Sequence, residues 1–361
     1  MATLKDVAAH AGVSVSTAAR LLQGDPTLVI RPETRARVEA AAASMAYRPN
    51  RAARGLRTRR SGTLAVFLPD PQNIMWNPML RGIERAAAER DYLVVVADAH
   101  GPTLDPDQLG RLVLERRIDG LLVAFARVED ELIAQLAGRG LPLLPVNSQS
   151  HNVGGSVTMD DAAGSRLAVQ HLAGLGHTRI GFLGGRPDTD VGRRREAGYR
   201  DAMAEAGLAV DEALVRAGDY TERTAARLGG ELAALPAERR PTAIYTVSLP
   251  TALGLLTAAQ SAGVRIPSDL SVVTMDDHDI LAHLAPPLTA VRMPMGRMGE
   301  LAAAMLVDAI DGGPIRHVVT DEAPVLVVRA STGPAGSSAG AVRSPARPVR
   351  SSAPSASPGR P

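Results

Sequence analysis

Leu4-Lys5-Asp6-Val7-Ala8-Ala9-His10-Ala11-Gly12-Val13-Ser14-Val15-Ser16-Thr17-Ala18-Ala19-Arg20-Leu21-Leu22 decides the reading of the head of the chain. Leu4, Val7, Ala8 and Ala11 recur at helical spacing and give a first helix one apolar face. Gly12-Val13 breaks it. Ser14 is a good N-cap for a second helix over Val15–Leu22, because its hydroxyl can accept from an otherwise orphaned amide. Gly24-Asp25-Pro26 ends that helix. A third begins with Pro32 at its first position, where the missing N–H costs nothing, and runs through Glu33–Met45 with Val38, Ala41, Ala42 and Met45 apolar. Two short helices joined by a tight glycine-containing turn, plus a third, make the minimal helix-turn-helix domain.

A plain three-helix core would show the same spacing, and charge separates the two readings. Residues 1–60 carry eleven basic and four acidic side chains, a net +7. Residues 331–361 add four arginines and no acid, and residues 61–330 hold 25 basic against 34 acidic side chains, a net −9. The overall +2 conceals this asymmetry. A basic head on an acidic body predicts a polyanion partner for the head. The second helix exposes Val15, Ser16 and Arg20. Short side chains near its start and one long donor a turn later suit a helix entering the DNA major groove N-terminus first.

The chain has 361 residues, 45% hydrophobic and 22% charged, which fits a soluble protein of two to three folding units. Aromatic residues make up 2%, so Ala, Val and Leu must build the core. The absence of cysteine excludes disulfides, thiolate zinc sites and cysteine nucleophiles. No apolar run reaches the ~18 residues of a membrane span, and Met1–Asp6 does not read as a secretory signal, so a cytoplasmic location is expected.

Beyond the head, apolar runs alternate with amphipathic stretches. The runs are Thr63–Leu68, Leu93–Ala97, Gly120–Ala124, Pro142–Val146, Arg179–Leu183, Ala243–Val247, Leu270–Met275 and Pro324–Val328. Helical patterns cover Leu80–Arg90, Asp161–Leu175, Arg194–Ala206, Thr221–Ala234, Pro250–Ala262 and Met295–Ile310. Continuous apolar strands separated by helices predict an α/β body with parallel sheets covered on both faces. About 270 residues is large for one such sheet, so two lobes are expected. Gly333–Pro361 is Ser, Pro, Ala, Gly and Arg with two Val and no apolar periodicity, and reads as a disordered basic tail.

An ordered series of motifs resembles the lactose-repressor (LacI/GalR) family of bacterial transcriptional regulators. It starts with Thr3–Thr17, Thr34-Arg35-Ala36-Arg37-Val38 and Tyr47-Arg48-Pro49-Asn50-Arg51-Ala52-Ala53-Arg54-Gly55-Leu56. It continues with Arg117-Ile118-Asp119-Gly120, Gly176-His177-Thr178-Arg179-Ile180-Gly181, Arg195-Glu196-Ala197-Gly198-Tyr199, Ser271-Val272-Val273, Pro286-Pro287-Leu288-Thr289 and Arg329-Ala330-Ser331-Thr332. Together these span about residues 2–332. The resemblance implies a helix-turn-helix domain (1–48), a hinge helix and linker (49–61) and a body like periplasmic sugar-binding proteins (62–332). The implied first lobe is about 62–161 with 292–320, and the second about 162–291 with 321–330. It further implies a homodimer, with a tetramer as the alternative, acting on double-stranded operator DNA, and a small effector between the lobes that changes operator affinity. Repression is the favoured sign.

Residue roles follow from the same resemblance. Val15 and Ser16 stand at the family's base-reading pair, followed by Thr17 and Arg20; Arg20 could fork onto a guanine, worth ~1–3 kcal/mol of discrimination. Ala19 lacks a hydroxyl that the family often points at phosphate. The hinge is Asn50–Arg57, with Asn50 as cap, Arg51, Arg54 and Arg57 on phosphates, and Leu56 as the minor-groove wedge. Gly55 should cost that helix ~1 kcal/mol relative to Ala. For the effector, the implied residues are Asp70, Asn73, Trp76, Arg195, Tyr220 and Asp276. Two positions depart from the pattern. Leu249 stands where the family has an aspartate that grips sugar hydroxyls, and Ser148 where it often has arginine. With no acid at 249 to neutralise Arg195, the sequence points away from a simple neutral sugar and towards a ligand with an apolar part and a carboxylate or phosphate.

A solute-binding protein would share the body but not the basic head. An α/β enzyme acting on nucleotides or phosphates is the other reading. Gly184-Gly185-Arg186 is not a dinucleotide loop, and the sequence holds no phosphate loop, nucleophile elbow or helically spaced histidine pair. No enzymatic activity, cofactor or metal is expected.

Leu56→Ala should weaken binding to a selected operator more than binding to random-sequence DNA, since a wedge acts only where the duplex kinks. Both affinities are to be compared at one fixed salt concentration; equal losses would show that Leu56 is no wedge.

Overall fold

The computed structural model describes residues 2–22, 25, 27–47, 60–98, 115, 117–124, 131–138, 140–150, 153–236 and 238–336. Its head has three helices, α1 (Leu4–Ala11), α2 (Val15–Leu22) and α3 (Pro32–Ser44). Thr3 and Asp6 form a reciprocal capping box at the start of α1, and Gly12, at φ 64°, ends it in the left-handed conformation. Ser14 Oγ accepts from Thr17 N at 3.0 Å, which starts α2 as expected. Met45 follows α3 as its cap instead of extending it. Val7, Ala8, Ala11, Ala18, Leu21, Val38, Ala41 and Ala42 form one buried core with Leu4 and Tyr47 packed against it.

The chain divides into two compact units. One comprises residues 1–166, 185–199 and 292–325; the other comprises 167–184, 200–291 and the chain from 326 onward. The first thus takes 162–166, 185–199 and 321–325, stretches that the sequence reading assigned to the second lobe.

In the first unit β1 (Thr63–Leu68), β2 (Leu93–Asp98), β3 (Gly120–Val123) and β4 (Leu143–Pro145) form a sheet in the order β2-β1-β3-β4. Every pairing is parallel. β5 (Ser156–Thr158) pairs separately, also in parallel, with His317–Val319. In the second unit β6 (Ile180–Gly184), β7 (Val215–Ala217), β8 (Ala243–Thr246), β9 (Ser271–Met275) and β10 (Thr289–Arg292) form a larger sheet, ordered β10-β9-β8-β6-β7 with Val325–Val327 outside β10. The pairings from β10 through to β7 are parallel. Helices α4 (Asn77–Ala88), α5 (Glu131–Gly138), α6 (Asp161–Gly174), α7 (Asp190–Glu205), α8 (Glu222–Ala233), α9 (Leu249–Ser261) and α10 (Met295–Ile310) connect them.

Helix packing in the first unit depends on glycine. A Cβ at Gly82 of α4 would lie 2.1 Å from Gly296 O, and one at Gly299 of α10 would lie 2.2 Å from Met79 O. These two helices therefore meet backbone to backbone, a separation only glycine permits.

In the second unit His177 is buried and ties the segment after β10 to the sheet. Its Nε2 lies 3.0 Å from Gly333 O, and its Nδ1 lies 2.9 Å from Thr242 Oγ1. Because a carbonyl only accepts, Nε2 carries the proton and Nδ1 accepts from the hydroxyl. His171 Nε2 lies 2.9 Å from Thr332 Oγ1 in the same region. Burial holds both imidazoles below their ordinary pKa of 6.5, and for His171 the neighbouring His177 adds to the effect.

The unfolded chain therefore takes up these protons first as pH falls. The stability they contribute is complete above pH 6.5 and is lost as pH drops through the folded values. Urea unfolding at pH 7.5 and 5.5 should show the loss, at most about 1.4 kcal/mol per pH unit for each histidine. His177→Gln should flatten the profile; an unchanged profile would assign the acid sensitivity elsewhere.

Candidate functional site

The exposed face of α2 carries the residues expected to meet DNA. Val15 is 45% exposed, Ser16 is exposed, and Ala18 between them and Arg20 is fully buried in the three-helix core. Thr17 is half-buried, and its hydroxyl lies 2.8 Å from Ser14 Oγ. Arg20 does not stand free. Its Nε donates to Asp25 Oδ2 at 2.7 Å and its terminal NH2 donates to Thr27 Oγ1 at 2.9 Å. Asn50, Arg51, Arg54 and Leu56 lie outside the described residues.

In open parallel sheets ligands bind beyond the carboxyl ends of the strands, where the strand order reverses. In the first unit that point lies between β1 and β3. Asp70 follows β1, is exposed, and accepts from Gln72 N at 2.9 Å. Asn73 Oδ1 accepts from Met75 N at 3.1 Å and caps the short 3-10 turn Ile74–Trp76. The side chains of Asp70 and Asn73 thus hold the turn that carries Trp76. The Trp76 Nε1, the Asn147 Oδ1 and the Ser148 Oγ are buried without a hydrogen-bond partner. Asn147 and Ser148 follow β4, and Asn147 sits at φ 58°.

Arg195 is 3% exposed, and its Nε donates to Asp161 Oδ1 at 2.7 Å. Arg194 donates through its terminal NH2 to the other oxygen, Asp161 Oδ2, also at 2.7 Å. Asp161 has no exposed surface. Arg194 also pairs with Asp190, whose carboxylate accepts from Gln149 N at 3.1 Å. Asp161 thus pairs with both guanidiniums, and Asp190 pairs with Arg194 as well. Position 249 supplies no acid to Arg195, but Asp161, unmarked in the sequence, does.

In the second unit Tyr220 follows β7 and Asp276 follows β9, at the carboxyl edge of that sheet, and both have positive φ, 68° and 67°. Asp276 is 7% exposed. Among the described residues five non-glycine positions have positive φ, and Asn147, Tyr220 and Asp276 are three of them. Such conformations cost about 1–3 kcal/mol each and gather where a side chain must be aimed. Next to Asp276, Asp277 is paired with Arg329 at 2.7 Å. After β8, Ser248 Oγ lies 2.8 Å from Thr251 Oγ1 and caps α9, and Leu249, the first residue of that helix, is buried. The departure from the family pattern at 248–249 therefore forms a helix start. Among the described residues no cluster of His, Asp and Glu is arranged to hold a metal, and no helix is long and apolar enough to cross a membrane.

A helix-turn-helix head followed by two parallel α/β units, with buried polar groups at the carboxyl edges, defines a ligand-responsive DNA-binding regulator. The description "Bacterial regulatory proteins, lacI family" matches residues 3–50, and "Periplasmic binding protein-like domain" matches residues 169–332. The HTH-type transcriptional regulator CelR of Thermobifida fusca is 34% identical over 331 residues, covering 88% of this chain and 95% of that protein. Among solved structures, a transcriptional regulator CelR–cellobiose complex superposes with a TM-score of 0.68 at 30% identity, over 92% of this chain and 100% of that one. The lac repressor dimer bound to operator and the anti-inducer ONPF superposes with a TM-score of 0.74 at 25% identity, over 92% and 99%. The chain belongs to the LacI family of bacterial transcriptional regulators.

Asp161→Ala would leave a buried guanidinium uncompensated and should cost about 3–5 kcal/mol. Urea unfolding of the full chain measures it. A loss below about 1 kcal/mol would mean that the two arginines satisfy themselves elsewhere.

Proposed function

We propose that this regulator is a homodimeric repressor whose operator affinity is set by a neutral effector with hydroxyl or amide groups at one end and an apolar remainder. The carrying observation is the combination at the first unit's carboxyl edge. The Trp76 Nε1, the Asn147 Oδ1 and the Ser148 Oγ are buried polar atoms that carry no charge, while Arg194 and Arg195 already have carboxylate partners. One donor, one acceptor and one hydroxyl that can do either suit a polar, uncharged group. An anionic ligand would meet a guanidinium whose charge Asp161 already offsets.

In the second unit Tyr220 and Asp276, held by their backbone conformation, stand at the carboxyl edge of its own sheet. Leu249 is a buried apolar side chain there and cannot accept a hydrogen bond. The position therefore offers no partner to a sugar hydroxyl. The CelR structure holds cellobiose. In this chain a glycoside with an apolar aglycone or a nucleoside fits the polar–apolar division better than a free sugar.

Isothermal titration of the full chain with hexoses, pentoses, cellobiose, aryl glycosides, nucleosides and their phosphorylated counterparts tests this reading. Micromolar binding by a neutral amphipathic ligand that also shifts affinity for selected operator DNA is expected. Tighter binding of a phosphate or acid than of its neutral parent, or micromolar binding of an unmodified sugar, would overturn it.

A further inference from the structure

We propose that Asp25 is a positioning residue for DNA recognition, holding the guanidinium of Arg20 so that it reads a guanine instead of settling on a phosphate. The proposal rests on the reading of Arg20 as a base-contacting residue.

Arg20 lies in the last turn of α2, and two residues beyond that helix, Asp25 and Thr27, form a closed ring with it. Asp25 Oδ2 accepts from Arg20 Nε at 2.7 Å, and Thr27 Oγ1 accepts from the terminal NH2 at 2.9 Å. The Thr27 hydroxyl in turn donates to Asp25 Oδ1 at 2.7 Å, and Thr27 N donates to the same oxygen at 2.9 Å. Asp25 N is bonded back to Arg20 O at 3.0 Å, so the carboxylate is anchored to the helix it serves. The Thr27 hydroxyl and the Arg20 guanidinium hold the Asp25 carboxyl down at about 2, and it is a carboxylate at any pH where the protein would work.

A carboxylate beside the recognition helix opposes attraction to a polyanion. The other acids of the head have structural duties: Asp6 closes the capping box of α1, Glu33 sits in the first turn of α3, and Glu39 pairs with Arg35. Asp25 instead orders a side chain. A guanidinium has five N–H donors in a rigid fork, and the guanine contact through O6 and N7 needs two. Asp25 and Thr27 take two of the five, leaving enough for the base. An unrestrained arginine would fall on the nearest phosphate, a contact that adds affinity without sequence information.

The full chain is to be used to select from a library of duplexes randomised over about 20 base pairs, a length that covers two half-sites. Asp25→Asn keeps an acceptor for Thr27 N but loses the charge. It should reduce the guanine preference at one position in each half-site by about tenfold, the scale of one two-pronged base contact. Affinity for a random-sequence duplex should hold or rise, and its salt dependence should steepen by about 0.9 in log–log slope as Arg20 gains a phosphate. Thr27→Val, which keeps the charge, should relax the same preference without raising random-sequence affinity. Arg20→Ala should erase the preference, and adding Asp25→Asn to it should leave the base preferences as Arg20→Ala leaves them. Retained random-sequence binding and an unchanged melting temperature show that each variant folds. If Arg20→Ala leaves every base preference intact, Arg20 is not a reader and both readings fall. If Arg20→Ala erases a preference that Asp25→Asn and Thr27→Val leave untouched, the positioning role alone is overturned.

Discussion

The carboxylate of Asp161 is the constraint on which the candidate effector site depends. It is wholly buried, and each of its oxygens receives a different guanidinium, from Arg194 and from Arg195. Taking such charges out of water costs several kcal/mol per ion, so they persist only where geometry is good and every group is paired. Asp161 starts α6, while both arginines lie on α7, and Arg194 also reaches Asn147 O beyond β4. One side chain therefore registers two helices and the Asn147–Ser148 segment within the first unit. The Gln149 amide bonded to Asp190 closes the same segment from the other side.

That arrangement changes what Arg195 can do. A lone buried guanidinium demands an anion, whereas one already on a carboxylate offers only its remaining donors. The unmet hydrogen-bonding capacity at this edge moves to neutral atoms, on Trp76, Asn147 and Ser148. Buried polar groups without partners each carry a cost of about 1–3 kcal/mol, and a ligand that supplies the missing bond recovers it. Affinity and selectivity then come from one source, since a ligand of the wrong hydrogen-bonding pattern leaves the cost in place.

The fold was largely legible because its signals are local or periodic. The three head helices, the cap at Ser14 and α10 over Met295–Ile310 follow from spacing and capping chemistry. So do the runs that became β1, β6, β8 and β9. β5, β7, β10 and His317–Val319 were missed because stretches of three or four residues such as Val215-Arg216-Ala217 make no apolar run, and pairing in the sheet defines them. In the site, Asn73, Trp76, Arg195, Tyr220 and Asp276 stand at or near strand carboxyl ends or at the cluster behind them, whereas Asp161 read only as an acid in a helix's first turn. Within the run Arg193-Arg194-Arg195, Arg193 is exposed, whereas Arg195, with Tyr199 and Ala202, is buried on one face of α7. Helical periodicity could have singled out Arg195. Its partner, 34 residues earlier in the chain, could not be found that way.

Two of the chain's aspartate–arginine pairs show how the surroundings decide what such a pair accomplishes. Asp161 and Arg195 are bonded at 2.7 Å where water is excluded, so removing one partner strands a charge and destabilises the unit. Asp25 and Arg20 are bonded at the same 2.7 Å, but their side chains remain 28% and 40% exposed. A pair so exposed is screened by salt and contributes little to folding. Stability is therefore a weak reason for an acid at that place, and the acid also weakens attraction to DNA. What the exposed pair does secure is geometry. An arginine side chain has about 2 kcal/mol of rotamer entropy to lose on binding, and one held before contact loses less of it when it meets a base. The buried pair fixes where the protein's own helices lie, and the exposed pair fixes where a single guanidinium points.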